Sequence, residues 1–274
     1  MSHPAQWVRL YRLGSPYPAE IVHARYVEHR FARHAHEHLV VGLIEEGTQQ
    51  YTYRRSLHKT SAGQIFFVDG GEPHTGEPAT HDGYIYRTLC LSPAVFRQLA
   101  FDITDREELP HLSGAVVANQ LLVRQLRRLH WAVAKPAQTM EQESCLLAVV
   151  ESLLAKHVEN RRESLQVCKE NFVVTRAREY LNEHYAEDIS LAQLAAITSR
   201  SPFHFARAFS RALGLPPHAY LESIRVQHAR EMLRSGMSVV DTALSLGYSD
   251  QSHFTHRFRS HTGITPGQYR NYLH

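Results

Sequence analysis

Apolar residues change their period along this chain. Up to about Arg87 they fall in short runs rich in Val, Ile, Tyr, Phe and Thr: Ile21–Val27, Leu39–Glu45, Gln49–Tyr53, Gln64–Val68 and Tyr84–Leu91. Gly47, Ser61-Ala62-Gly63, Asp69-Gly70-Gly71 and His81-Asp82-Gly83 separate these runs as turn-forming clusters. Many short strands broken by such turns predict an antiparallel barrel or sandwich. From Ser92 the period becomes helical. Ser92-Pro93 supplies an N-cap and a first-turn proline for a short helix. Longer helices are expected over Asn119–Ala134 and Gln138–Val158, where Leu122, Leu126, Leu129 and Val133, then Leu146, Val150, Leu153 and His157, form apolar stripes. Each stripe packs either within the chain or along a dimer seam. Glu159–Lys169 carries charge without a stripe and reads as a linker. The expected organisation is a β domain over 1–91, a helical dimerisation or linker region over 92–170, and an all-helical domain over 171–274.

That last domain repeats itself. Ser190-Leu191-Ala192-Gln193-Leu194-Ala195 matches Ser238-Val239-Val240-Asp241-Thr242-Ala243 at an offset of 48. The offset is 49 for Phe205 and Phe254, Phe209 and Phe258, Gly214 and Gly263, Pro217 and Pro266, Tyr220 and Tyr269. A unit found twice indicates a duplicated half-domain, not a solenoid. Each half reads as a helix-turn-helix, about 190–214 and 238–263. In the first, Ser190 caps Leu191–Ile197, with Leu191, Leu194 and Ala195 inward, and Thr198-Ser199-Arg200 turns into a helix over Phe203–Leu213 that Gly214 ends. In the second, Ser238 caps Val239–Leu246, Gly247 turns, and Ser249 or Asp250 caps Gln251–His261. Such units insert their second helix into a major groove of DNA.

Phenylalanines four apart place Phe205 and Phe209, and Phe254 and Phe258, on one helix face. The other face offers Phe203, His204, Ala206, Arg207 and Arg211 in the first half. In the second it offers Gln251, Ser252, Thr255 and His256, with Arg257 and Arg259 alongside. Arg and Gln make bidentate contacts to guanine and adenine edges, and Arg, Ser and Thr also hold phosphates. A solvated polar face explains one such helix well and two equivalent ones poorly.

Charge agrees in placement more than in amount. The formal net charge is +3, and residues 171–274 hold the whole excess, 11 arginines against 8 acids. Composition, 43% hydrophobic and 21% charged, suits a globular protein. No apolar run reaches the ~20 residues of a membrane span, and the N-terminus has no signal-peptide core. Three scattered cysteines, Cys90, Cys145 and Cys168, argue against a disulfide framework or a cysteine zinc knuckle. A cytoplasmic setting is expected.

Ser201-Pro202-Phe203-His204-Phe205, Arg207-Ala208-Phe209, Gly214, Pro217 and Tyr220 resemble the first helix-turn-helix of the AraC/XylS transcription regulators. Gly247 through Phe254, Phe258-Arg259, Gly263-Ile264-Thr265-Pro266 and Tyr269-Arg270 resemble that family's C-terminal signature, and Arg225, Ala229 and Leu233 its connecting helix. The resemblance covers roughly the last hundred residues. It implies two recognition helices in successive major grooves ~34 Å apart. It also implies base contacts from Phe203, Ala206, Arg207, Gln251, Ser252, Thr255 and His256; the outer helix faces add Arg211 and Arg259 as DNA-binding residues. It further implies double-stranded DNA and RNA polymerase as partners, a homodimer, and activation more than repression.

Histidine clusters in the first part. His34, His36 and His38 alternate in an expected strand, which puts them on one face, and His74 follows the turn at Asp69–Pro73. With Gly63 and Gly71 the pattern resembles the cupin barrel that serves many AraC-type regulators as a sensor. The resemblance implies a small-molecule effector bound near His34, His36, His38 and His74. Metal-binding cupins add a Glu four or five residues after the paired histidines, and here the nearest are Glu45 and Glu46. Three readings stand: a metal-free effector pocket, a divalent ion held by His36 and His74 with His34 or His38, or structural histidines. No cofactor is otherwise expected. Tyr51, Tyr53, Phe66, Tyr84 and Tyr86 are further candidates for an interior face. The alternative from another class is a metal-dependent cupin enzyme with a DNA-binding tail.

Overall fold

The computed structural model describes residues 6–104, 111–112, 114–134, 139–156, 158–159, 170–199 and 201–272. The chain divides into two compact units, one of Met1–Arg30 and Glu37–Arg162, the other of Phe31–His36 and Glu163–Tyr272.

The N-terminal elements are β1 (Trp7–Leu13), β2 (Ala19–Tyr26), β3 (Phe31–His34), β4 (Leu39–Tyr53), β5 (Ser56–Ser61), β6 (Ile65–Val68), β7 (His74–Pro78) and β8 (Tyr84–Leu91). There follow α1 (Pro93–Thr104), β9 (His111–Leu112), β10 (Val116–Val117), α2 (Gln120–Val133), α3 (Thr139–Lys156) and β11 (Val158–Glu159). The first unit is built on an antiparallel sheet in the order β1-β2-β8-β4-β6-β10, with β5 and β7 branching from β4. The expected separate strands at Leu39–Glu45 and Gln49–Tyr53 are one strand. The chain passes through Gly47 at a positive φ of 73° beside a bulge at Ile44/Glu46, and the ladder continues instead of turning. A Cβ on Gly47 would stand 2.2 Å from the carbonyl oxygen of Gly83. A glycine there marks a bulge as readily as a turn. The first half of β4 pairs with β8 and β6, the second with β5 and β7.

One sheet face carries Leu13, Ile21, Val41, Leu43, Phe67, Leu89 and Leu91, buried under α1, α2 and α3. Leu122, Leu126 and Leu129 of α2 and Leu146, Val150 and Leu153 of α3 belong to this core. The two predicted stripes therefore pack within the chain, and they are not a dimer seam; Val133 is partly buried and His157 lies outside the described residues. On the opposite side of β4, Gly42 faces Phe66 across the ladder, and a Cβ there would meet the Phe66 ring at 2.0 Å.

Glu45 of β4 ties α2 to the sheet. Its carboxylate accepts from Arg87 Nε at 2.7 Å and Arg127 Nε at 3.0 Å. Burial raises its pKa, but the hydrogen bonds from Arg127 and Arg87 outweigh that and hold it below the usual range. Beside it, His23 stacks edge-on with Trp7 at 4.7 Å and with His130 of α2 at 6.4 Å. Burial and the nearby Arg87 bring His23 down to about 4, and burial with Arg87 holds the enclosed His130 well below its ordinary value.

The expected single strand through His34, His36 and His38 is not formed. β3 stops at His34, and the next backbone N–H, of Ala35, is given to Ser223 Oγ at 3.3 Å instead of to a ladder. His38 stands just before β4.

Gly42→Ala is expected to destabilise the chain by ~1–3 kcal/mol in urea denaturation through overpacking against Phe66, and Phe66→Leu should relieve part of that cost. His23 and His130 bind a proton less readily folded than unfolded. The stability they leave intact above pH 6.5 should decline as the pH falls toward about 4. His130→Leu should flatten that decline, and an unchanged slope would contradict the assignment.

Candidate nucleic-acid interface and sensor face

The second unit contains α4 (Glu170–Glu183), α5 (Leu191–Ile197), α6 (Pro202–Leu213), α7 (Pro217–Arg234), α8 (Val239–Ser245), α9 (Gln251–Thr262) and α10 (Pro266–Asn271). Ser190 starts α5 in a capping box: its Oγ accepts the Gln193 N–H at 3.2 Å, and Gln193 Oε1 accepts the Ser190 N–H at 2.7 Å. Ser199 takes a positive φ of 53° in the turn before α6. Ser238 caps α8 through the Asp241 N–H at 3.0 Å, and Gly247 turns the chain at φ 75°. Asp250, not Ser249, caps α9, accepting the His253 N–H at 2.7 Å; that bond holds its carboxyl below the ordinary value. Gly263 ends α9 in the left-handed conformation.

Apolar packing sets which way each second helix faces. Phe205 and Phe209 of α6 are fully buried among Val174, Ala177, Leu181, Leu194 and Ile224. Phe254 and Phe258 of α9 are equally buried, with Tyr248 5.2 Å from Phe254 and Tyr269 5.5 Å from Phe258. Leu191 departs from expectation. It is 40% exposed, because Leu194 and Ala195 already fill the contact of the two-turn helix α5.

With those faces buried, Arg207 and Arg211 of α6 and Gln251, Ser252, His256 and Arg259 of α9 are exposed, while Ala206 and Thr255 are half-buried. The helix positions of Phe203 and His204 are described but their side chains are not, and Arg200 lies outside the described residues. Arg257 is drawn aside: its Nε reaches His253 Nε2 at 3.3 Å and stands 4.0 Å from the Glu222 carboxylate.

The histidines named from sequence divide. His34 and His36 belong to the second unit, their rings 5.7 Å apart in an edge arrangement. His34 is buried, lies 5.3 Å from the ring of His261 in α9, and is brought by burial down to about 4. Burial, with His34 alongside, brings His261 down to about 3. His74 stands in the first unit, buried at the start of β7, with Nδ1 3.0 Å from the Glu72 carbonyl oxygen. His38 is half-buried before β4.

In the first unit, the sheet face away from α1–α3 is tyrosine-rich. Tyr26, Tyr51, Tyr53 and Tyr84 are almost fully buried there, and Tyr86 stacks on Tyr26 at 5.7 Å. Tyr51 donates to the Ala115 carbonyl oxygen at 2.8 Å and stacks on His58 at 5.4 Å. Burial raises the Tyr51 phenol and pushes Tyr53 up to about 12, so both remain hydroxyl donors. Sequence reasoning missed Gln49 and Thr60, cross-strand partners on this face: Gln49 Oε1 is buried without a hydrogen-bond partner, and the Thr60 hydroxyl lies against that of Tyr51. Polar residues on strands gave no signal of their own, since the register that joins them runs past the unexpected bulge.

Residues 17–150 match the family model of the AraC-like ligand binding domain, and residues 194–272 match that of a helix-turn-helix domain. The chain is an AraC-family transcription regulator. It is 29% identical over 224 residues to the uncharacterised HTH-type transcriptional regulator YbfI of Bacillus subtilis, covering 82% of this chain and 81% of that one. It is also 29% identical over 247 residues to the HTH-type transcriptional activator RhaS of an Enterobacter strain, covering 88% and 87%. The crystal structure of ToxT from Vibrio cholerae with a bound unsaturated fatty acid superposes with a TM-score of 0.58 at 13% identity, covering 100% of this chain and 98% of that one. At that identity the likeness shows the fold alone, an N-terminal antiparallel β domain followed by helices and a C-terminal helix-turn-helix domain. This AraC-family regulator is thus a DNA-binding protein with an effector-binding domain. The alternative of a metal-dependent enzyme is overturned by its membership of a family of transcription regulators. No helix among the described residues is long and apolar enough to cross a membrane.

Proposed function

We propose that this regulator reads two adjacent DNA elements with α6 and α9 and that a small molecule in the β domain controls the outcome. The observation carrying the DNA reading is that both second helices bury a phenylalanine pair and turn equivalent polar faces to solvent. Phe203, Ala206, Arg207 and Arg211 form the first contact set, and Gln251, Ser252, Thr255, His256 and Arg259 the second. Arg207 and Gln251 are the base readers, the first suited to guanine and the second to adenine, and Arg211 and Arg259 take phosphates. Similarity to the RhaS activators supports activation, a role in which RNA polymerase is the partner.

The tyrosine face of the sheet supports an uncharged effector with hydrogen-bonding groups. Its phenols stay protonated, and the buried Gln49 Oε1 is available to accept. The sequence pattern adds His38 and His74 of the same unit as further effector residues, whereas His34 and His36 belong to the helical unit.

A second copy of this chain fits the outer side of α2 and α3. There a cleft of about 1110 Å³ is lined by Leu121, Arg124, Arg128, Met140, Glu141 and Cys145. Leu121 is 42% exposed and Met140 81%. Arginines on α2 and a glutamate on α3 give the patch both signs of charge, which a two-fold axis brings into opposition.

Arg207→Ala should cost ~1–3 kcal/mol of specific binding in a fluorescence-anisotropy titration against upstream DNA and relax one base position. Arg211→Ala should instead weaken all sequences alike and lower the salt slope by about 1. Equal losses of both kinds from the two variants would refute the division of roles. Met140→Glu should shift the chain toward monomer in sedimentation, and an unchanged mass would remove the proposed dimer face.

A further inference from the structure

The two helix-turn-helix halves have separate aromatic cores, so something must fix the angle between α6 and α9. One buried charge sits where the halves meet. Arg225 projects from α7, is 9% exposed, and spreads its guanidinium over three groups. Its Nε donates to the Tyr185 carbonyl oxygen at 2.7 Å, and a terminal nitrogen donates to the Glu187 carbonyl oxygen at 2.9 Å. Both carbonyls belong to the segment between α4 and α5, in the first half. The same guanidinium lies over the ring of Tyr248, 5.3 Å from its centre, in the turn that leads into α9.

Neighbouring contacts converge on this point. Tyr248 donates its hydroxyl to Glu222, one turn before Arg225 on α7, at 3.1 Å. The Tyr185 ring stacks on His228 of α7 at 3.9 Å. Gly247 approaches so closely that a Cβ would stand 2.0 Å from the Ala186 carbonyl oxygen. The turn of the second half and the entry to α5 thus touch backbone to backbone, with one arginine hydrogen-bonded to the first side and lying over the ring of the second. A planar fork with fixed donor directions holds two carbonyls in one geometry, which a lysine does not.

We infer that Arg225 is a positioning residue that sets the distance and angle between α6 and α9, and through them the spacing of the two DNA elements this regulator accepts. The inference rests on the reading that both helices contact DNA. It adds a specificity that no base-contacting side chain supplies: rejection of sites whose elements lie too far apart or out of phase. Linked modules gain affinity only when their geometry matches both sites, and a loosened link loses that gain while tolerating more spacings.

The test uses the full chain with nitroxide side chains at positions 212 and 260, on α6 and α9, and a duplex recovered by wild-type protein from a random-sequence pool. Wild type should give a narrow label distance and lose most of its affinity when one or two base pairs are inserted between the elements. Arg225→Met and Arg225→Lys should both broaden the distance. Both should bind the selected duplex about tenfold or more weakly and reduce the insertion penalty. Should Arg225→Met fail to fold, Tyr248→Leu, which removes the ring beneath the guanidinium together with the hydroxyl bond to Glu222, should broaden the distance, and Tyr248→Phe, which keeps the ring and loses only the hydroxyl, should leave it narrow. A narrow distance and an intact insertion penalty in a folded Arg225 variant overturn the inference. If wild type protects only one element, the two-helix reading fails. The label distances then decide alone, broadening supporting the positioning role and its absence refuting it.

Discussion

Everything this regulator presents to DNA depends on where two pairs of phenylalanines are buried. A helix of 3.6 residues per turn has no preferred rotation until one face is taken out of water. Phe205 with Phe209, and Phe254 with Phe258, supply that constraint, each ring fully buried. Burying one such ring contributes roughly 1.5–3 kcal/mol, more than any single polar contact on the opposite face is expected to return in the free protein. The outward set is therefore what remains once the inward set is fixed. Caps then set where each helix begins, with Ser190, Ser238 and Asp250 each accepting a first-turn N–H.

The β domain obeys the same logic with a different result. A sheet has two faces, and here they differ in chemistry. One is sealed by leucines and valines under α1, α2 and α3 and is complete in itself. The other is lined by buried phenols, with Gln49 Oε1 unmatched. Buried polar atoms without partners are costly, and such an atom on this face is what the proposed effector would satisfy. The apolar face holds the domain together, and the aromatic face is the one to which the proposed function assigns recognition.

How much was legible in the sequence follows from the range of the forces involved. The duplicated helical half could be read because its determinants are local: a capping serine, phenylalanines four apart, a terminating glycine. Even there Leu191 was misjudged, since the sequence cannot tell that Leu194 and Ala195 saturate a two-turn helix. In the β domain the determinants are contacts between distant segments. Gly47 looked like a turn and is a point inside a fifteen-residue strand, because its close neighbour is Gly83, thirty-six positions on. The alternating histidines looked like one strand face, yet β3 ends at His34 where the Ala35 N–H finds Ser223. The leucine stripes of α2 and α3 were seen but not their partner, for periodicity identifies a buried face without naming what buries it. Arg225 was noted only as part of a pattern, because its role lies in carbonyls some forty residues earlier and a ring twenty-three residues later.

The charge of the helical domain bears on the proposal that two helices read DNA together. Its excess over the acids is small, with 11 arginines against 8 acids. Non-specific attraction to DNA scales with the phosphates neutralised, so such a domain gains little from charge alone. A single helix with a few readers contributes on the order of a few kcal/mol of discrimination, too little to select one site among a genome of competitors. Joining two readers rigidly makes the second contact intramolecular, and pairing two chains repeats the gain. Each gain is real only if the geometry is held, and that places the demand on interior residues, not on the DNA-facing ones. A weakly charged regulator must obtain through stiffness the affinity that a strongly basic one obtains through counterion release. This is the physical reason for a buried guanidinium to occupy the junction of the two halves, where a hydrophobic side chain would have packed at lower cost in desolvation but without direction.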